Sequence, residues 1–283
     1  MFIKHYKALL IPFFLLFSTY SLAQIPIPSA PIVGAKSYLV IDSKTGYEIA
    51  AFNPDLSLAP ASLTKIMTTY AIFKAIKNDQ ITLEEEVTIS EKAWRTEGSR
   101  MFIEVGKKVK VIDLLYGIII QSGNDASVAL AEHIAGSEDM FAQLMNQHAK
   151  ALGMNSSNFI NSTGLPAQNH ITTARDLAIL TRAIVEEFPS FYKWHAIKNF
   201  TFNDIKQNNR NSLLWRDETI DGVKTGYTED AGYCLVASAK RDDMRVISVV
   251  LGTSSNKARS DGSQALINYA FRFFETKFFT YDC

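Results

Sequence analysis

The sequence predicts an α+β fold, in which one antiparallel sheet is formed from both ends of the chain and helices pack against it. Two β-rich runs near the start surround a short Gly-containing turn, and two more near the end surround a polar turn. Between these pairs, apolar residues recur at helical spacing. Strand pairs at both ends and helices in the middle therefore indicate a single sheet with helices packed on it.

Local patterns predict the elements of the first half in order. The runs SYLVID and GYEIAAF, on either side of a turn at 43–46, predict a hairpin. A helix is expected from 62 to about 77, followed by strand-like pieces in EEVTIS and KKVKVI around the loop RTEGSRMF. The segments IDLLYGIII and NDASVALAEHIAG predict two helices that are broken at Ser122 and Gly123.

The second half is predicted in the same way. SEDMFAQLMNQHAKALG indicates a helix that ends at Gly153, and 153–171, which is rich in Asn and Ser, indicates a long loop. Thr173 and Asp176 have capping-box spacing where the helix DLAILTRAIVEEF opens. The runs AGYCLVASAK and RVISVVLG predict the second hairpin, and GSQALINYAFRFFE predicts a closing helix.

The composition is that of a globular protein with a balanced charge. The chain has 283 residues, of which 29 are basic, 29 are acidic and 47% are hydrophobic. No basic cluster is interleaved with aromatic residues, so a nucleic-acid partner is not expected. Five scattered histidines, without HExxH or paired cysteines, predict no metal site.

The first 23 residues have the layout of a secretory signal peptide. Lys4 and Lys7 precede the apolar run 8–17, and small residues precede a cleavage site that we expect after Ala23. The apolar run is short for a bilayer and contains Pro12, so a permanent helical anchor is the weaker interpretation. The sequence thus predicts an exported, periplasmic protein, with association with the inner membrane left open.

Ser62 and Lys65 stand three residues apart at the start of an apolar helix. So short a pattern recurs by accident, because serine is favoured at helix starts and lysine is common on exposed helix faces. At i and i+3 the two side chains share a helix face, so an amine with a lowered pKa would be able to activate the hydroxyl. The rest of the chain has to decide between these interpretations.

Two further short patterns follow this pair in order, Ser-Gly-Asn at 122–124 and Lys-Thr-Gly at 224–226. A second Lys-Thr-Gly, at 44–46, lies between the first two predicted strands, and we interpret it as a hairpin turn. The copy at 224–226 leads into the apolar run GYCLVASA. Its glycine would let a substrate approach the backbone closely.

Taken in order and at these separations, the three patterns resemble the active-site set of penicillin-binding proteins and class A β-lactamases. With the stretches PASLTKIMT, NRNSLLW and DGVKTGYTEDAGYCLVASA, the chain looks like a low-molecular-mass penicillin-binding protein, a serine-type D-alanyl-D-alanine carboxypeptidase of the S11 peptidase family. The resemblance covers 31–275, which we predict to be the catalytic domain. It implies the penicillin-recognising fold of β-lactamases and transpeptidases, with an antiparallel five-stranded sheet.

The resemblance also implies catalytic roles. Ser62 would be the nucleophile and Lys65 its general base, and Ser122 would pass a proton to the departing amine. The oxyanion hole would be formed by the backbone N–H groups of Ser62 and Tyr227. A helix start adds a positive dipole end near the developing oxyanion.

The substrate-binding residues implied by the resemblance are Asn124, Lys224 and Thr225. Asn124 would bond the substrate amide, while Lys224 and Thr225 would hold the terminal carboxylate of the substrate. Arg259 either assists this carboxylate or is simply exposed to solvent, and the sequence leaves both interpretations open.

The implied partners are peptidoglycan stem peptides, from which the terminal D-alanine would be released through an acyl-enzyme without any cofactor. β-Lactam antibiotics would mimic this substrate and stay bound to the serine. A D,D-endopeptidase with the same motifs remains an alternative. A class A-like β-lactamase is less expected, because Asp176 is the single acid between Asp139 and Glu186 and the deacylating glutamate is missing. A penicillin sensor would need a membrane-spanning segment, and none follows the leader.

Similar proteins usually continue into a β-rich domain and a C-terminal amphipathic helix that binds the membrane surface. This sequence ends in KFFTYDC. We therefore expect a short tail at 276–283 in place of that domain and anchor, which makes membrane association doubtful.

Overall fold

The computed structural model describes residues 27–277 of the chain. The predicted leader at 1–23 and the tail residues 278–283 lie outside the described residues. Within 27–277, no helix combines the length and the apolar character that a bilayer crossing requires.

The strands of the described residues form one five-stranded sheet and two small hairpins. They are β1 (Ser37–Asp42), β2 (Glu48–Phe52), β3 (Glu86–Thr88), β4 (Lys108–Lys110), β5 (Asn199–Phe202), β6 (Ile205–Asn208), β7 (Ile220–Thr228), β8 (Gly232–Arg241) and β9 (Met244–Thr253). The large sheet has the order β2-β1-β9-β8-β7, and every neighbouring pair is antiparallel. The small hairpins are β3-β4 and β5-β6. The predicted antiparallel five-stranded sheet is confirmed.

Along the chain, most helices lie between the first two strands and the last three strands of this sheet. They are α1 (Thr64–Lys77), α2 (Glu91–Arg95), α3 (Val111–Tyr116), α4 (Asn124–Ala135), α5 (Glu138–Ala151), α6 (Ala174–Glu187), α7 (Pro189–Tyr192) and α8 (Asn256–Phe273). Short 3-10 turns occupy Ala61–Leu63, Lys193–Ala196 and Ser212–Trp215, and a π-helical turn occupies Gly117–Gln121.

The central strand β9 buries both of its faces. Ile247 and Val249 belong to the large core that also contains α1 and α4, whereas Val246 and Val250 belong to a second core on the other face, with Leu266 of α8. Because successive side chains of a strand point to opposite faces, each face receives every second residue. Because helices cover both faces of the sheet at β9, this strand is an uninterrupted run of mainly apolar residues.

Several elements differ from the sequence-based prediction, and the following differences bear on the site. The Lys-Thr-Gly pattern at 224–226 lies within a strand of its own, β7, at the edge of the sheet, and the apolar run after it forms β8. The polar segment 199–208 forms the β5-β6 hairpin, which was not predicted. Helix α8 begins at Asn256, ahead of the predicted start at 262, because the Ser255 hydroxyl accepts from the Ala258 N–H (3.0 Å) and caps the helix there.

Helix α6 opens as predicted but uses Asp176 differently. The Thr173 hydroxyl accepts from the Asp176 N–H (3.1 Å), which is the expected cap. The Asp176 carboxylate accepts from the Ser156 N–H (3.0 Å) and the Ser157 hydroxyl (2.7 Å). Asp176 therefore ties the loop 153–171 to α6.

The same loop reaches the start of α1 through Gly164. Gly164 has φ +84°, and a Cβ at this position would lie 1.8 Å from the Ala61 carbonyl oxygen. Only a residue without a side chain allows the two backbones to approach so closely. The loop and the turn before α1 are therefore packed as one unit.

We expect Gly164→Ala to lower the free energy of unfolding by about 2–4 kcal/mol, because it combines an unfavourable positive φ with a backbone clash. Gly153→Ala is the matched control, since Gly153 has φ +81° and open space around it. It should lower the free energy of unfolding by only about 1–2 kcal/mol. Denaturant unfolding of both variants measures the difference, and equal losses would contradict the close packing at Gly164.

Candidate active site

Ser62 lies on the 3-10 turn that immediately precedes α1. The preceding residue, Ala61, has φ +49°, which is rare for a residue with a side chain. A Cβ on Gly226 of β7 would lie 3.1 Å from the Pro60 carbonyl oxygen and 3.2 Å from Leu63 Cγ. Gly226 lines the cavity, and the absence of a side chain also lets the edge strand pack against the turn that carries Ser62. Its expected role in admitting a substrate stays a prediction.

The Lys65 side chain is fully buried and contacts three other segments of the site. Its Nζ lies 3.1 Å from Ser62 Oγ, 2.7 Å from Asn124 Oδ1 and 2.6 Å from the Thr163 carbonyl oxygen. Burial lowers the pKa of the Lys65 amine to about 7, against the opposing effect of Asp125. A large fraction of Lys65 is therefore neutral near neutral pH.

Three oxygen atoms surround the Lys65 amine, namely Ser62 Oγ, Asn124 Oδ1 and the Thr163 carbonyl oxygen. The Asn124 amide group donates from Nδ2 to the Glu97 carbonyl oxygen (2.6 Å), which leaves its Oδ1 facing Lys65. Asn124 Oδ1 and the Thr163 carbonyl can only accept hydrogen bonds. A charged amine donates to all three oxygen atoms. A neutral amine donates its two N–H bonds to Asn124 and Thr163, and its lone pair can then accept the proton of the Ser62 hydroxyl.

Ser122 lies at the break between two helical segments, as predicted. It follows the π-helical turn and adopts the left-handed conformation, with φ +66° and ψ +35°. Its hydroxyl is buried and has no hydrogen-bond partner among residues 27–277. Ser122 lines the same cavity as Ser62, so its proton is available to a bound molecule.

Lys224 and Thr225 lie on the edge strand β7, on the other side of the cavity. Lys224 Nζ donates to the Thr225 carbonyl oxygen (3.0 Å). Burial lowers the pKa of the Lys224 amine well below its usual value, and the charges of Lys65 and of two arginines lower this pKa further. An arriving carboxylate would reverse this shift, because an opposite charge favours the protonated amine.

Arg259 is buried, so the solvent-exposed interpretation of this residue is wrong. It lies in the first turn of α8, and its guanidinium donates to the carbonyl oxygens of Gly226 (2.9 Å) and Cys234 (3.3 Å). These contacts fix the guanidinium beside the Lys-Thr-Gly strand.

Arg210 is a cation that the sequence analysis missed. Its Nε donates to the Gln121 carbonyl oxygen (3.1 Å), and its charge lowers the pKa of both buried lysines. Asn209 and Asn211 are buried and bind backbone carbonyls, whereas Arg210 between them is exposed.

The predicted residues meet around one cavity of about 410 Å³. Its lining includes Ser62, Ser99, Ser122, Arg210, Thr225, Gly226, Tyr227, Tyr233, Asn256 and Arg259. Lys65 and Asn124 lie behind Ser62, and Lys224 lies behind Thr225. The cavity therefore has a hydroxyl with an adjoining amine on one wall and a group of cations on the other.

The loop 153–171 presents no carboxylate to this cavity. It contributes the Thr163 carbonyl to Lys65, and Glu138 of α5 approaches the loop from the outside. One Glu138 oxygen accepts from the N–H and hydroxyl of Ser162, and the other pairs with Lys92 (3.2 Å). Both oxygens are thus engaged. Among residues 27–277, no three His, Cys, Asp or Glu residues lie together in a way that would hold a metal ion.

A serine with a buried lysine on the same helix face, beside a cationic edge strand of a five-stranded antiparallel sheet, defines a penicillin-binding serine peptidase. The comparison with known families agrees, since the Peptidase_S11 family, described as D-alanyl-D-alanine carboxypeptidase, matches residues 25–255. The chain belongs to this family, and the predicted family, fold and enzyme class are confirmed.

Individual relatives show how far the similarity extends. The chain is 46% identical to D-alanyl-D-alanine carboxypeptidase DacC of Escherichia coli, over 93% of this chain and 68% of that protein. It is similar to penicillin-binding protein 5 of Haemophilus influenzae (TM-score 0.85, 43% identity, 87% of this chain and 73% of that one). It is also similar to the ampicillin-bound form of penicillin-binding protein D2 of Listeria monocytogenes (TM-score 0.78, 27% identity, 84% of this chain and 98% of that one).

The chain spans 63% to 73% of the length of the curated relatives that it matches. The predicted domain boundaries at 31–275, and the predicted absence of a further domain, stay predictions.

The lowered pKa of Lys65 predicts how penicillin acylation depends on pH. Only the neutral amine can take the Ser62 proton, so the acylation rate should fall about tenfold per pH unit below about pH 7 and level off above it. Rates measured with a fluorescent penicillin from about pH 5 to about pH 9 test this. Lys44→Ala should keep the same profile, whereas a rate that stays constant to about pH 5 would contradict the assignment of the base.

Replacing the lysine should affect penicillin acylation in one Lys-Thr-Gly copy but not in the other. Lys224→Ala should reduce penicillin acylation by about 30-fold or more, since it removes a buried charge that orients the carboxylate. Lys44 is exposed in a turn in which the Asp42 carboxylate accepts from the Thr45 N–H (2.7 Å). Lys44→Ala should therefore change stability by less than about 0.5 kcal/mol and leave acylation intact. Comparable losses in both variants would overturn the distinction.

Proposed function

We propose that this protein is a D,D-carboxypeptidase that removes the terminal D-alanine from peptidoglycan stem peptides through an acyl-enzyme on Ser62. The observation that carries this proposal is the Ser62–Lys65 contact of 3.1 Å, with Lys65 buried against Asn124 and Thr163. A substrate with a terminal carboxylate suits the cations on the opposite wall.

In the first step, the Ser62 oxygen attacks the carbonyl carbon between the two D-alanines while Lys65 takes the hydroxyl proton. The carbonyl oxygen becomes negatively charged and is stabilised by the backbone N–H groups of Ser62 and Tyr227. Lys224, Thr225 and the guanidinium groups beside them bind the terminal carboxylate. Lys224 gains a proton as that carboxylate arrives, because the opposite charge raises its pKa.

In the second step, the C–N bond breaks and the departing nitrogen needs a proton. Ser122 donates its hydroxyl proton to this nitrogen and recovers one from the protonated Lys65. D-Alanine then leaves, and the peptide remains as an ester of Ser62. The unpartnered hydroxyl of Ser122 in the cavity wall supports this role.

Hydrolysis of the ester completes the cycle. Lys65 is neutral again and takes a proton from a water molecule, which attacks the ester carbonyl. Lys65 then returns this proton to the Ser62 oxygen as the ester C–O bond breaks, which restores the free enzyme. A bulky penicilloyl group hinders this water, and the loop 153–171 offers no carboxylate as a second base. A β-lactam therefore stays attached to Ser62 much longer than a peptide does, in keeping with the ampicillin-bound relative.

The enzyme would act in the periplasm after export by a leader at 1–23. The basic start and the short apolar run of the sequence support export. Cell fractionation at high salt tests the location, with the protein expected in the soluble periplasmic fraction. Recovery in the membrane pellet with 1–23 intact would show instead that the leader serves as an anchor.

The fate of the acyl-enzyme distinguishes the enzyme classes. Release of D-alanine from a D-Ala-D-Ala peptide should proceed with multiple turnovers, while a fluorescent penicillin adduct on Ser62 persists. Ser62→Ala should abolish both, and Lys65→Ala should slow both by several orders of magnitude, because a coupled nucleophile and base fail together. Rapid penicillin turnover without D-alanine release would indicate a β-lactamase, and cleavage only of cross-linked peptides would indicate an endopeptidase.

A further inference from the structure

A second groove adjoins the segment 97–104, in which Ser99 lines the catalytic cavity and Arg100 lines this groove. It has a volume of about 330 Å³, and its lining includes Trp94, Arg100 and Phe102 on one side and Asn203 and Ile205 on the other. Trp94, Phe102 and Ile205 come from α2, the segment 97–104 and β6, and 39–50% of each of these side chains is exposed. Three separate elements thus present apolar side chains to one groove, which we call the outer groove.

Phe102 holds an exposed position in a strained conformation. Its φ is +70°, a region that residues with a large side chain rarely adopt. Folding alone would favour glycine or asparagine there, yet this chain keeps an aromatic ring that is half exposed. Strained backbone conformations cluster at active sites and ligand contacts, which makes Phe102 a candidate for such a contact.

The strain is held in place by Asp125, the residue after Asn124. The buried Asp125 carboxylate accepts from the N–H groups of Met101 (3.0 Å), Phe102 (3.0 Å) and Ile103 (3.4 Å). On the other side, the Gln207 side chain donates to the Met101 carbonyl oxygen (3.0 Å). The start of α4 therefore positions Asn124 against Lys65 and Phe102 in the outer groove at the same time.

The two sites lie within reach of a single peptide. Ser99 lines the catalytic cavity and Phe102 lines the outer groove, so their Cα atoms are at most about 11 Å apart. Three extended residues upstream of the acyl D-alanine span about 10 Å. The upstream residues of a stem peptide are therefore about as long as the stretch of chain that separates the two linings.

The outer groove also offers charges of both signs. The Arg100 guanidinium is fixed by donating to the carbonyl oxygens of Thr96 (2.8 Å) and Arg95 (3.2 Å), and Glu104 lines the same groove. An apolar floor with one cation and one carboxylate suits a peptide that carries both a carboxylate and an amine.

We propose that the outer groove binds the part of the stem peptide upstream of the cleaved bond, with Phe102 and Trp94 as its specificity-determining contacts. This inference rests on the proposed carboxypeptidase function, since the same peptide must place its D-Ala-D-Ala end at Ser62. Short substrates occupy only the catalytic cavity and gain nothing from the groove.

The test compares two substrates, a stem pentapeptide ending in D-Ala-D-Ala and N-acetyl-D-Ala-D-Ala, which lacks the upstream residues. Phe102→Gly removes the ring and suits the positive φ, so the backbone should stay in place. We expect it to lower kcat/KM for the pentapeptide about tenfold, as for one lost apolar contact. The kcat/KM for N-acetyl-D-Ala-D-Ala should stay within about twofold of the wild-type value. Trp94→Ala, on a different element, should have the same selective effect.

Met140→Ala is the control, because Met140 is an exposed apolar residue on α5 outside the groove. It should leave kcat/KM unchanged for both substrates. Equal losses on both substrates with Phe102→Gly would mean that Phe102 only holds the segment 97–104, and no loss on either would mean that the groove is unused. Either result overturns the proposal.

Calorimetry on a Ser62→Ala background separates this inference from the proposed function. Pentapeptide binding should weaken about tenfold when Phe102→Gly is added, and binding of N-acetyl-D-Ala-D-Ala should not change. If the wild-type protein releases no D-alanine but this difference is found, the groove stands and the carboxypeptidase proposal fails. If D-alanine is released and pentapeptide binding is unchanged by Phe102→Gly, the groove proposal fails alone.

Discussion

The burial of one lysine amine is the constraint on which the rest of this structure depends. Lys65 Nζ can be neutral only if it is removed from water, and a buried amine must still satisfy its hydrogen bonds. Three segments that are distant in sequence meet this need, namely the turn with Ser62, the start of α4 with Asn124, and the loop with Thr163. The positions of these segments and the reactivity of the serine are therefore set by the same contacts.

Close backbone packing keeps those segments together. Gly164 brings the loop against Ala61, and Gly226 brings the edge strand against Pro60, so the turn with Ser62 is held from both sides. The sheet supplies a fixed edge for Lys224 and Thr225, and α8 adds Arg259 to it. A rigid scaffold thus holds a strained turn, an arrangement that is common where a chain stores strain at a functional site.

The sequence predicted those features that depend on local pattern. Periodicity predicted α1, α4 and both hairpins of the large sheet. The three motifs predicted six site residues, which the structure brings together around one cavity, and their roles remain predictions. It missed what depends on tertiary neighbours. Arg210 lies in the stretch NRNSLLW, but its effect on the buried lysines depends on residues far away in the chain. The packing role of Gly226 depends on a turn more than 160 positions earlier in the chain. Asp176 has the spacing of a capping box, but its carboxylate binds Ser156 and Ser157 of the loop.

The ionisation of Lys65 in the free protein tests this account most directly. The measurement is a titration of the protein labelled with ¹³C at lysine Cε, followed by NMR, with the Lys65 signal assigned from its loss in Lys65→Arg. The account predicts a midpoint near pH 7 for this lysine, while exposed lysines titrate near their usual value of about 10.4. A midpoint near 10 for Lys65 would mean that the amine stays charged at neutral pH, and the lysine could not be the base that activates Ser62.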